Sequence, residues 1–141
     1  MGLNKGRIWL GGLLGGVVWN GWSLVVTLLI IGSARYKEMQ DTNMFLKVSR
    51  YRYFEVQWII MLFLLAILMS HLYAWSRATL KPGPMAALKI GFLVGFAAGF
   101  PLSFGEAAWA PIPRIFPLGW MLEMWVGAIL ATLVAGAIYK D

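Results

Sequence analysis

Four long apolar stretches separated by short polar or proline-rich segments set the pattern of this chain. The first runs from about Ile8 to Gly32, the second from about Phe54 to Trp75, the third from about Met85 to Glu106 and the fourth from about Leu118 to Tyr139. Each meets the roughly 20 residues that a helix rising about 1.5 Å per residue needs to cross about 30 Å of hydrocarbon. Lys5 and Arg7 precede the first stretch, and Arg35 and Lys37 follow it. Trp58 lies near the start of the second, and Tyr73 and Trp75 lie at its end. Basic and aromatic residues at span ends belong at the head-group level of a bilayer. The pattern predicts an all-α fold, an integral membrane four-helix bundle forming a single domain over residues 1–141.

The connectors differ in kind. Residues 33–53 form a hydrophilic connector in which charges are mixed with Met44, Phe45, Leu46, Val48 and several tyrosines. Phe45 and Val48, then Tyr51 or Arg52, recur at helical spacing, which admits either a short interfacial helix or a solvated loop. Between the second and third stretches, Pro82 and Pro84 supply no backbone N–H and Gly83 turns freely, so the helix must stop there. In the third stretch Gly91, Gly95 and Gly99 recur every fourth residue on one face, which allows close helix approach. Pro101 predicts a kink or an unwound segment in that stretch. The third connector, WAPIPRIFPLG, is again rich in proline.

Two halves of the chain look faintly alike. QWIIMLFLLAILMSHL can be laid on GWMLEMWVGAILATLV with Trp58 over Trp120 and Ala66-Ile67-Leu68 over Ala128-Ile129-Leu130. Two related hairpins of equal orientation would form a parallel repeat about the membrane normal, although the small alphabet of membrane helices produces such likeness by chance as well. The basic residues do not decide the orientation. Lys5, Arg7, Arg77, Lys81, Lys89 and Lys140 fall on one side, and Arg35, Lys37, Lys47, Arg50, Arg52 and Arg114 on the other. We expect both termini to be cytoplasmic, because the third connector is short, proline-rich and nearly uncharged.

Composition supports lipid as the solvent. The chain is 60% hydrophobic and 13% charged, against roughly 45–50% and about 25% in soluble domains. The absence of cysteine excludes disulfides, thiolate metal sites and thiol redox chemistry. A net charge of +6 would suggest nucleic acid in a soluble protein; here the basic residues flank apolar spans, and no nucleic-acid-binding pattern is present. The apolar stretch from Ile8 to Ile31 is longer than the roughly 7–15 residues of a signal-peptide core, so a retained first helix is expected. MGLN lacks the Ser or Thr at position 6 that myristoylation requires.

Polar groups within the spans mark where chemistry could sit, since an ionisable residue costs about 2.5–3.5 kcal/mol there on insertion scales. Glu123 lies five residues into the fourth stretch as bounded here, a depth of about 7 Å. It reads either as a snorkelling or helix-capping carboxylate or as a functional one. Glu106 and Arg114 bracket the third connector, so a Glu106–Arg114–Glu123 cluster could hold a proton or cation, or could simply pin two helix ends. Asn20 sits near the middle of the first stretch between Trp19 and Trp22, with Ser23 following. These four residues are either interhelical hydrogen-bonding groups or the floor of an aromatic-lined cavity opening toward Glu123. His71, the one histidine, has no second metal ligand at suitable spacing and reads as interfacial. No phosphate-binding loop, nucleophile elbow, zinc motif or dinucleotide fingerprint appears, and nothing calls for a cofactor.

The segments RIWLGGLLGGVVWN, LYAWSR followed by PGPMAALKIG, and WMLEMWVGAILATLVAGAIYKD resemble a group of uncharacterised bacterial inner-membrane proteins of similar length with four spans. In that group a glycine-rich first helix carries an Asn, a PGP turn opens the third helix, and the fourth carries a Glu before a small-residue stretch ending in Tyr-Lys. Asn20, Pro82-Gly83-Pro84, Glu123 and Tyr139-Lys140 occupy those places. Where an acidic residue often follows the Asn, this chain has Ser23, which weakens a carboxylate-pair mechanism. The resemblance covers most of the chain outside the first connector; it implies a bacterial inner membrane and assigns no activity. The glycine faces, the abundance of Trp and Met and the scarcity of catalytic groups favour an accessory or assembly subunit packing against a membrane-protein partner or a second copy. The alternatives are an oligomeric transporter of a small molecule or ion using Glu123, and an interfacial lipophilic-ligand binder or enzyme.

Overall fold

In the computed structural model, which describes residues 3–139, the chain folds into helices joined by turns. Helix α1 spans Lys5–Val25, begun by Asn4, whose side chain accepts the Arg7 N–H. It runs on as a π-helical segment, Val26–Ile31, and ends at Gly32, whose φ of 90° is a conformation only glycine takes cheaply. Helix α2 follows over Ser33–Asp41, α3 over Phe54–Ser76, α4 over Pro84–Trp109 and α5 over Ile115–Ile138. Together, α1 with its π-helical end, α3, α4 and α5 are four helices long and apolar enough to cross a membrane. The fold is an all-α integral membrane bundle.

Several local expectations are corrected. The helix of the first connector occupies residues 33–41, whereas Phe45 and Val48 lie in the turns beyond it. Phe45 instead folds back, its ring centroid 5.0 Å from that of Phe116 and 6.3 Å from that of Trp120. Pro101 does not unwind its span: α4 is assigned as helix from Pro84 to Trp109, although Pro101 has no N–H to give the Ala97 carbonyl. The helix of the fourth apolar stretch begins at Ile115, with Pro117 tolerated in its first turn.

Helix α1 lies between α3 and α5, and α4 packs chiefly against α5. Lipid tails are as apolar as leucine, so helices hold together through close contact rather than through expulsion of water. The GGLLGG segment supplies that contact on two edges of α1. Gly11 and Gly15 lie against Ala135 and Ala131 of α5, while Gly12 and Gly16 lie against Ile67 and Phe63 of α3. On α4, Gly91, Gly95 and Gly99 face α5; a Cβ on Gly95 would stand 2.7 Å from the Trp125 carbonyl oxygen, and one on Gly91 2.6 Å from the Ile129 Cα. The buried set is accordingly rich in alanine, while Leu29, Leu64, Leu93 and Leu102 point outward. That inverted arrangement suits a lipid solvent and would be an aggregation hazard in water.

Three buried layers stack along the bundle. One at the termini joins Ile8, Tyr73, Ala87 and Tyr139; the middle one holds Trp19, Leu62, Ala66, Met69 and Ala131; the third, under α2, joins Val26, Ile31, Met39 and Phe116. His71 Nδ1 lies 2.9 Å from the Ile67 carbonyl oxygen, to which it donates, and the ring packs edge-on against Trp9 and Trp75.

The glycine contacts give a direct test. Gly95→Val should separate α4 from α5 and destabilise the fold by about 1–3 kcal/mol, the usual range for overpacking. Gly105→Ala, where an added Cβ meets nothing within 4 Å, should be neutral or slightly stabilising. Thermal unfolding of both variants in one detergent measures the difference; equal melting points would show that the α4–α5 approach does not depend on glycine.

Candidate ligand site around Glu123

Glu123 lies eight residues past Ile115, about 12 Å into α5 at about 1.5 Å per residue, deeper than the sequence pattern alone suggests. It does not snorkel: the residue is only 4% exposed. Its carboxylate is held by two donors that both converge on Oε1. Ser23 Oγ of α1 donates at 2.5 Å and Trp58 Nε1 of α3 at 2.9 Å. No described residue donates to Oε2 or forms an ion pair with Glu123. A buried carboxylate wants its acceptor sites filled, so the free oxygen is the part of the site still open to a partner.

Two further indoles fix α1 to α5 beside this carboxylate. Trp19 Nε1 donates to the main-chain oxygen of Glu123 at 3.1 Å, and Trp22 Nε1 to that of Leu122 at 3.0 Å. The Trp19 ring lies over Gly127, and any Cβ there would run into it. Asn20 turns to the other side of α1, donating to the Gly16 carbonyl at 2.9 Å and lying 3.4 Å from that of Ile59. Its amide thus bridges to α3 at the level of the carboxylate.

These groups stand at the edge of a cleft of about 690 Å³. Ser23 and Glu123 are its buried floor, with Asn20 and Met124 beside them. Trp58 of α3 and Trp120 of α5 supply aromatic lining. Tyr36 of α2 closes one end, its hydroxyl accepting the Trp120 N–H at 3.3 Å. Leu24 and Ile59, 60% and 47% exposed, line it where it meets the apolar outer surface of α1 and α3, while Phe54 and Glu55 line the end nearest the start of α3. The π-helical segment carries Thr27 into the lining as well.

Of the residues singled out from sequence, the structure brings Glu123, Ser23, Asn20, Trp19 and Trp22 to one place. Glu106 and Arg114 are elsewhere. Arg114 is exposed at the start of α5, more than two turns from Glu123, and Glu106 sits near the end of α4. The cluster expected from their spacing does not form because α4 covers the face of α5 bearing Met121 and Trp125, while Glu123 points toward α1 and α3. Sequence reasoning missed Trp58, Trp120 and Tyr36. Trp58 reads as an interfacial belt residue, and its alignment over Trp120 in the two halves was the one available sign that both might face a common space. No spacing points to Tyr36, which arrives through the chain reversal at Gly32.

No model of a known family, no curated protein and no solved structure matches this chain. Fold and site together define a small four-span membrane protein with a polar-floored cleft inside its apolar body.

Burial raises the Tyr36 phenol above its ordinary value of 10.0; the Trp120 N–H given to its oxygen acts in the opposite direction, and the nearby Glu123 adds to the rise. A raised folded-state value favours the neutral phenol, so this contribution to stability is full below about pH 10 and is lost as pH climbs through the folded value. Tyr36→Phe should therefore flatten the alkaline loss of stability. It should also cost about 1–3 kcal/mol at neutral pH by leaving the Trp120 N–H without its acceptor. Unfolding midpoints measured from pH 7 to pH 11 check both effects; parallel curves for the two proteins would remove Tyr36 from the alkaline transition.

Proposed function

We propose that this protein binds a lipophilic ligand within the membrane, seating the ligand's polar end at Glu123 and its apolar part between α1 and α3. The observation that carries the reading is the half-satisfied carboxylate at the floor of a mostly apolar cleft that meets the apolar outer surface at Leu24 and Ile59. A volume of about 690 Å³ falls in the range of about 300–1,000 Å³ usual for small-molecule sites, which likewise combine apolar walls with a few convergent polar groups. Exposed apolar lining at Leu24 and Ile59 suits a ligand that arrives from the bilayer rather than from water.

Transport is less well supported. Beside the cleft, Trp19, Leu62, Ala66 and Ala128 form a buried apolar layer between the helices, which offers no polar group to carry a solute further. A second reading keeps an accessory role. The glycine faces that suggest a partner from sequence are occupied by the chain's own helices, but Phe92, Phe96 and Phe104 leave an aromatic stripe exposed along α4. In that reading a membrane partner covers this stripe. For placement we propose a bacterial inner membrane with both termini cytoplasmic, which puts the cleft toward the outer leaflet.

Native mass spectrometry of the protein in mild detergent tests the binding role. A co-purifying lipophile is expected, and Leu24→Trp, which adds bulk to the cleft lining without touching the core, should reduce its occupancy at least about tenfold, equivalent to about 1.4 kcal/mol. Undiminished occupancy in Leu24→Trp would exclude the cleft as the site. Stoichiometric capture of a second membrane protein, lost when Phe92 and Phe96 are both changed to Leu, would favour the accessory reading instead.

A further inference from the structure

We infer that the ligand's polar end is cationic, so that the cleft selects lipophilic amines and quaternary ammonium compounds; this rests on the binding role proposed above and specifies its substrate class. The first ground is charge. The chain carries twelve Lys and Arg against six Asp and Glu, yet the lining holds two of the carboxylates, Glu123 and Glu55, and none of the basic residues. In a protein this basic, a cleft free of positive side chains is a selective environment.

The second ground is the state of the hydrogen-bonding groups. The side-chain donors nearest the floor are already used: Ser23 Oγ and Trp58 Nε1 on Glu123 Oε1, Trp120 Nε1 on the Tyr36 hydroxyl, and Asn20 Nδ2 on main-chain carbonyls. What remains at the floor is acceptor capacity, chiefly Glu123 Oε2. A carboxylate buried without a protein countercharge is costly to hold, and a bound cation supplies the missing charge. An anionic head, such as that of a fatty acid, would meet repulsion from Glu123 and Glu55.

The third ground is the walls. Tyr36, Phe54, Trp58 and Trp120 put four aromatic rings around the same space, with Phe54 and Trp58 6.0 Å apart between centroids. Aromatic faces attract ammonium groups, most strongly where water is excluded, and indole is the best of them. Rings and carboxylates therefore favour the same kind of head group, while Leu24 and Ile59 lead its alkyl portion into lipid. Quaternary heads, which donate no N–H, engage this combination through charge and the aromatic faces, whereas primary amines add a hydrogen bond to Glu123 Oε2.

The full-length protein in nanodiscs of zwitterionic lipid, with empty nanodiscs subtracted, provides the test by equilibrium dialysis. The probes are dodecyltrimethylammonium and its neutral isostere with a quaternary carbon in place of the nitrogen. Saturable binding of the ammonium probe alone is expected. Glu123→Gln should weaken it at least tenfold and Trp58→Leu several-fold. Glu55→Gln, at an exposed position in the first turn of α3, should weaken it by a smaller factor. If the isostere binds as tightly as the cation, or Glu55→Gln and a folded Glu123→Gln bind the cation undiminished, charge selection is overturned while the cleft remains a binding site. If neither probe binds saturably, both the cation selectivity and the binding role are overturned.

Discussion

Close approach between helices in a solvent that offers no hydrophobic drive is the constraint on which this fold rests. Glycine meets it at two interfaces. Along α4, three glycines a turn apart let α5 come close enough that its backbone becomes the contact surface. On α1, the doubled glycine pairs serve two neighbours at once, with one edge turned to α5 and the other to α3. The site follows from this geometry. Only a helix wedged between two others can give Trp19 and Trp22 to α5 and Asn20 to α3 within a single turn.

The carboxylate then gathers the remaining elements. Ser23 and Trp58 reach one of its oxygens from two different helices, so the site exists only where α1, α3 and α5 meet. The cost of placing an ionisable group at that depth is offset in part by those donors. The π-helical end of α1 and the turn at Gly32 bring α2 back under the bundle, which sets Tyr36 against Trp120. Structure around the cleft is therefore continuous from the interfacial helix to the buried floor.

Much of this architecture was legible in the order of residues. Span number, the PGP stop and the glycine face of α4 follow from length, proline chemistry and a four-residue repeat. Glu123 stood out because a carboxylate in an apolar run is expensive. The partners of that carboxylate were less accessible. Ser23 and Asn20 could be placed near it, but whether Glu123 faced α4 or the α1–α3 pair depends on helix rotation, which an apolar-all-round sequence does not encode. The Glu106–Arg114–Glu123 cluster did not form for the same reason. Trp58 was hidden by its resemblance to an interface anchor, and Phe45 by a helical spacing that the turn after Asp41 does not use.

The order of the helices along the chain has a consequence for biogenesis. Glu123 belongs to α5, whereas both groups that hold its side chain belong to helices synthesised earlier. When α5 enters the bilayer, its acidic group meets donors already in place, provided that α1 and α3 have paired through Gly12 and Gly16. If they have not, a bare carboxylate faces lipid in α5, where it opposes stable insertion. The same residue that floors the cleft thus ties the cost of inserting α5 to the earlier docking of α1 on α3.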